Sequence, residues 1–391
     1  MIKPETPESH VLERLTTIIG RQFDERPGFG IQDISFALFY HYLYKATTDN
    51  DHLTRRNQCL EVVINDLEQQ DSATATLGRY PFFFNCLAHL LQQIQTENLV
   101  LQPLVQRVND WNKQLVTDTD FDITTLPSMG YLTGWAGVLY YFKNLPSAFE
   151  SRQLLLDRHF EPIANHVQWM CEQELFLLPY ETKETDMGLA KGICGLLMVV
   201  ADVAHLVSYP KTGSIIGSCV HQLIRLRQEV DQSADKCSFF PYRIDNEQKV
   251  ALYNNSLGWD SSDLGHALLL CRAALLCKNS NYLRMAELIA LNTLLRKNET
   301  HTGIHNASVQ YGAAGVAILY KRLFAFTGRK DLLKGYHYWM DQTLTLAQAA
   351  LEKEEPPGNN TGILEGLTGI GLTLLSRKYD YAADWSKILL A

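Results

Sequence analysis

Apolar residues recur three and four places apart in stretches such as HVLERLTTIIGRQF, LTRRNQCLEVVINDL, PLVQRVNDWNKQL, FEPIANHVQWMCEQEL, GSCVHQLIRLRQEV, YLRMAELIALNTLLRK and WMDQTLTLAQAALEK. That spacing places them on one face of an α-helix, with polar residues on the other. Between these stretches lie segments of a second kind, apolar along nearly their whole length. No stretch alternates convincingly between apolar and polar over six residues, so the chain reads as all-α.

The second kind of segment repeats. GWAGVLYYF from Gly134, GICGLLMVV from Gly192, GAAGVAILY from Gly312 and GLTGIGLTLL from Gly366 each run from a G-x-x-G turn into an apolar helix. SDLGHALLL from Ser262 keeps only the second glycine, and weaker copies begin at Gly78 and Gly30. Intervals of 48 to 70 residues between these starts fit two helices and two connections per repeat. Glycines at such a turn let the backbone turn sharply or approach a neighbour where a Cβ would intrude. Seven apolar helices inside and seven amphipathic ones outside would form either an open solenoid or a closed α/α toroid. In the closed form the turns meet at one mouth, and Thr133, Lys191, Ser261, Tyr311 and Glu365, each just before a turn, face one another across it.

Composition narrows the function. A 391-residue chain that is 46% hydrophobic can bury a large core as a single domain over 1–391. Its net charge of -8 and lack of a basic run argue against nucleic acid as a partner. The eight cysteines are scattered, without a CxxC pair, as in a protein of a reducing, cytoplasmic compartment. MIKPETPESHVLERL does not read as a signal peptide, and the best apolar window, GICGLLMVVADVAHLV, is interrupted by Asp202 and His205, so no membrane span is expected.

Three of the turns carry a finer pattern: GLAKG at 188–192, WDSSDLG at 259–265 and VQYGAAG at 309–315. In order, spacing and flanking residues they resemble GxxHG, WCYGxPG and LCHGxAG of the lanthionine synthetase C family, and the resemblance covers nearly the whole chain. It implies an α/α toroid of about seven helical hairpins with the turns at one mouth. In the family, two cysteines and a histidine hold a catalytic zinc, which activates a cysteine thiolate for addition to a dehydrated serine or threonine in a precursor peptide. By position those ligands fall on Asp260, Gln310 and Tyr311, the acid/base histidine falls on Lys191, and a family aspartate falls on Gly130. None of the five matches. The resemblance therefore implies a cyclase scaffold that serves modified-peptide biosynthesis without the zinc chemistry, with no cofactor expected, a precursor peptide as partner and a dehydratase as a second candidate partner.

Other chemistry remains open at this level. Asp260, Asp263 and His266, or His301 and His305, could rebuild a metal site. Lys191, Asp260, Tyr311 and Glu365 are candidates for metal-free proton transfer, including thioether formation without zinc, and an Asp260/Glu365 pair would suit a carbohydrate-acting toroid. Trp135, Trp259, Tyr131 and Tyr311, with Lys191, Asp260, Gln310 and Glu365, could line a peptide-binding mouth, although packing between neighbouring turns is the alternative for these aromatics and suits Trp259 better. The connections PYRIDNEQKVALYNNSLGWD and EKEEPPGNNTG are expected as exposed turns that could add partner surface.

Overall fold

The computed structural model describes residues 7–25, 30, 33–70, 72–94, 102–172, 183–352 and 362–391. The EKEEPPGNNTG connection thus lies almost wholly outside the described residues.

Among the described residues seven helices form an inner ring: α2 (Ile34–Thr47), α5 (Pro81–Ile94), α7 (Trp135–Asn144), α9 (Ile193–Val203), α11 (Asp263–Leu276), α14 (Ala313–Thr327) and α16 (Leu367–Lys378). Each packs on the next, and α16 packs back on α2. That last contact decides between solenoid and toroid: the ring is closed. Inner helices bury almost their full circumference, as Ile193 through Val200 do without a break in α9. This is why their sequences lack a polar stripe.

The outer layer is amphipathic, as periodicity predicts. It comprises α3 (Asn50–Glu68), α6 (Gln102–Thr117), α8 (Ser151–Glu172), α10 (Thr212–Arg225), α12 (Ser280–Thr293) and α15 (Lys330–Glu352), each following an inner helix. In α10 only Thr212, Ile215, Ile216, Cys219, Val220 and Leu223 are buried, a single helical stripe. The seventh outer position is taken by α1 (Pro7–Glu25), which packs on α16 and α15. Six hairpins are therefore continuous in sequence, and the seventh joins the two ends of the ring. Short helices α4 (Ala73–Arg79) and α13 (Glu299–Thr302) lie in connections. Among the described residues no helix is long and apolar enough to cross a membrane.

The centre of the ring is filled by the chain's own 380–391 segment, largely 3-10 helical over Asp380–Leu389. Trp385 and Leu389 are fully buried there. Its carbonyls are met by donors from the ring: Tyr131 Oη to Ile388, Tyr140 Oη to Lys387 (2.7 Å), Trp259 Nε1 to Leu389 (2.8 Å) and Arg272 Nη2 to Leu390 (3.0 Å). Buried carbonyls need such partners, because no water reaches them.

A small antiparallel sheet departs from the all-helical expectation. Strands β1 (Glu184–Asp186), β2 (Arg243–Asp245) and β3 (Val250–Leu252) pair in that order, with Thr185 opposite Ile244 and Ile244 opposite Ala251. The connection read as an exposed turn is thus a hairpin. Three-residue strands are too short to show a period of two.

Candidate functional site at the toroid mouth

Main-chain hydrogen bonds stitch five successive turns together. Leu132 N donates to Ala190 O (2.8 Å), Leu189 N to Asp260 O (2.9 Å), Asp260 N to Gln310 O (3.1 Å), and Val309 N and Gln310 N both to Leu364 O (2.9 and 2.8 Å). Glycine makes this possible by its lack of bulk. At Gly137, Gly195, Gly315 and Gly369 a Cβ would overlap the carbonyl oxygen six residues earlier, of Tyr131, Leu189, Val309 and Ile363 respectively. The first glycines of the same turns cap their helices with ordinary extended backbone, φ between -151° and -107°. Close approach, rather than unusual dihedrals, is what requires glycine here.

On this frame sits a polar cluster. Gln310 Nε2 donates to Asp260 Oδ1 (3.2 Å) and to Tyr311 Oη (2.8 Å), joining the three positions into one unit. Lys191 and Glu365 lie exposed at the neighbouring turns, where the Lys191 charge acts on Asp260 and the Glu365 charge on Tyr311. Burial, reinforced by the Asp186 charge, raises the Asp260 carboxyl above its usual range, against the pull of the Gln310 hydrogen bond, Lys191 and Arg243. The Tyr311 phenol is raised too, by burial and then by Asp260 and Glu365.

Two members of this cluster escape sequence reasoning. Asp186, at the end of β1, has its own carboxyl raised by burial and accepts from Gly188 N (2.8 Å). The Asp-x-Gly spacing of that turn is a readable signal. Arg243, from β2, reaches Glu184 (2.7 Å) and Asp186 (3.9 Å), and nothing in its local sequence marks it.

Several expected site residues sit elsewhere. Trp135 is buried, donates from Nε1 to Leu126 O (3.0 Å) and meets His166 edge-on, so it does not line the mouth. Trp259 and Tyr131 are fully buried and point inward to the central segment, leaving Tyr311, 42% exposed, as the accessible aromatic of the expected four. The candidate ligand sets of a rebuilt metal site are not brought together among the described residues. Asp263 turns away from Asp260, pairs with the fully buried Arg296 and accepts from Phe239 N and Phe240 N (3.0 Å each). His266 is buried, bonded at Nδ1 to Ser262 O (3.0 Å) and stacked on Phe240. His301 meets Asp235 (3.0 Å), and His305 is exposed in its loop. Among the described residues no group of three or more His, Cys, Asp or Glu is placed to hold a metal ion.

Nor does the trio to which the sequence resemblance assigns the ligand positions offer donors suited to a zinc ion. The Gln310 amide turns its NH2, which has no lone pair to give, toward both Asp260 and Tyr311. A phenol whose ionisation is disfavoured is likewise a poor ligand. Gly130, to which the resemblance assigns a family aspartate, lies so close to the Lys191 main chain that a Cβ would stand 2.6 Å from its Cα.

No curated protein sequence matches this chain. Among solved structures, nisin cyclase superposes with a TM-score of 0.72 at 17% identity, covering 97% of each chain. The shared architecture is the closed helical toroid. The profile described as "Lanthionine synthetase C-like protein" matches residues 34–390, the whole ring from its first inner helix to the central segment. The chain belongs to the lanthionine synthetase C-like family.

Proposed function

We propose that this protein serves in the biosynthesis of a ribosomally made, modified peptide, and that its mouth binds the precursor without zinc-dependent cyclisation. One observation carries the reading: Asp260, Gln310 and Tyr311 hold one another where the family resemblance places metal ligands. The exposed Tyr311 ring offers a face for a side chain, while Lys191 and Glu365 offer opposite charges to the peptide on either side. A dehydratase is the partner whose product such a mouth would receive.

The deciding experiment pairs metal analysis of untagged protein with a thiol assay on a peptide carrying a cysteine and a dehydroalanine. The expected result is zinc far below stoichiometry, peptide binding in the micromolar range, about -8 kcal/mol, and an unchanged thiol count. Stoichiometric zinc that disappears on Asp260→Ala would overturn it.

A second reading has its own support in the raised carboxyls of Asp186 and Asp260. In a metal-free cyclase, the cysteine thiol gives its proton to solvent, its sulfur adds to Cβ of the dehydro residue, the double-bond pair moves to Cα, and the Asp260 carboxyl in its acid form delivers a proton there and regains one from solvent. Thiol consumption without zinc, lost in Asp260→Asn while peptide binding persists, would establish that reading in place of the first.

A further inference from the structure

The end of the toroid opposite the mouth contains a cavity of about 160 Å³, formed by the last turns of α14 and α16, the first half of α15 and the central segment. Its walls are mainly apolar, with Ile318, Tyr336, Met340 and Trp385 among them, and its polar side carries three cations, Lys321, Arg322 and Lys387, against one carboxylate, Asp384, with Thr373 and Ser376 hydroxyls beside them. The protein carries a net charge of -8, so this is basicity against the trend of the molecule.

The charges at this end do not balance. Asp202, with a side chain only 9% exposed, pairs with both Lys143 (3.2 Å) and Arg272, and Arg322 draws on the same carboxylate only through space. Lys321 and Lys387 have their own surface carboxylates, Asp380 (3.6 Å) and Asp384 (3.0 Å). Arg322 lies over the Phe326 ring at 5.0 Å, and its Nε is shielded from solvent with no hydrogen-bond partner among the described residues. The helix dipole does not account for it: that effect fades within the last turn, and Arg322 stands more than a turn before α14 ends at Thr327. Arg322 nevertheless lines the cavity, and no hydrogen bond or ion pair engages its terminal guanidinium nitrogens among the described residues, which leaves those nitrogens for a charge-assisted bond with an anion that carries a hydrocarbon tail.

We propose that this cavity binds a small aliphatic carboxylate, its charge on Arg322 and its tail between Ile318, Met340 and Trp385. A free short-chain acid and the C-terminal carboxylate of an aliphatic peptide share this chemistry. The site lies at the far end from the peptide-binding mouth and does not rest on the function assigned there.

The test is calorimetric titration of the full chain with hexanoate, hexanol and N-acetyl-leucine. Hexanoate binds saturably, hexanol does not, and Arg322→Gln weakens hexanoate about tenfold or more, the loss of one charge-assisted bond. Ala325→Trp, at an exposed position on the rim, fills the cavity and abolishes binding, and it decides the matter should Arg322→Gln fail to fold. Tighter binding of N-acetyl-leucine than of hexanoate identifies a peptide terminus as the ligand, and the reverse order identifies a free acid. No saturable binding of either carboxylate, or binding that survives Ala325→Trp, overturns the proposal.

Discussion

Gly315 shows how much of this molecule is decided by single atoms. A Cβ there would overlap the Val309 carbonyl and stand 2.9 Å from Trp259 Cβ, both fixed by the frame. Gly315→Ala should therefore cost about 3 kcal/mol, at the upper end for overpacking. Gly328 makes the contrast: its φ is +68° with nothing within 4 Å of a Cβ, so Gly328→Ala should cost only about 1 kcal/mol of backbone strain. Denaturant midpoints of the two variants check the ordering. The mouth carboxyls add a pH effect. Asp260 binds its proton more tightly folded than unfolded, so its contribution to stability is full below the unfolded pKa and is lost as pH rises through the raised folded value. Asp260→Asn should flatten that decline in a stability–pH profile. The G-x-x-G positions were readable because their constraint spans only six residues of chain. Arg243 was not, because its partners Glu184 and Asp186 lie across a sheet that no periodicity announces.

At the scale of elements, Asp263 and Arg296 decide how the hairpin meets the ring. Both side chains are fully buried, and the carboxylate also receives the amides of Phe239 and Phe240, just ahead of β2. Asp263→Ala leaves Arg296 charged and unpaired in the interior, which should cost about 3–5 kcal/mol. Pairing it with Arg296→Met should restore much of that stability, yet the two amides would still lack their acceptor. Hydrogen exchange should then show rapid exchange at Phe239 and Phe240 in the double variant while α11 stays protected. Sequence spacing made Asp263 a ligand candidate beside Asp260 and His266. The burial of its partner Arg296, 33 positions away, is what turns it inward, and that distance hides the pairing from local reading.

For the whole molecule, closure depends on segments remote in sequence. α1 completes the outer layer over α16, and the 380–391 segment fills the hole with Trp385 bonded to Ser376 Oγ (2.9 Å). Removing that indole empties a site shared by several inner helices, so Trp385→Ala should lower stability by about 3–5 kcal/mol. Near-ultraviolet dichroism should be lost in the same transition as helix signal, because a closed ring has no independent end from which to fray. Seven inner helices were legible from their unbroken apolar runs. The central plug was not, since DYAADWSKILL reads by itself as one more amphipathic stretch.

The amide-to-carbonyl stitching of the mouth has a consequence for descent. Because main-chain hydrogen bonds join one turn to the next, the exposed side chains displayed there, such as Lys191, Tyr311 and Glu365, can be exchanged with little disturbance to the ring that presents them. Such a mouth behaves as a socket with replaceable contacts. A lineage can discard one chemistry and acquire another at the same address without rebuilding the toroid.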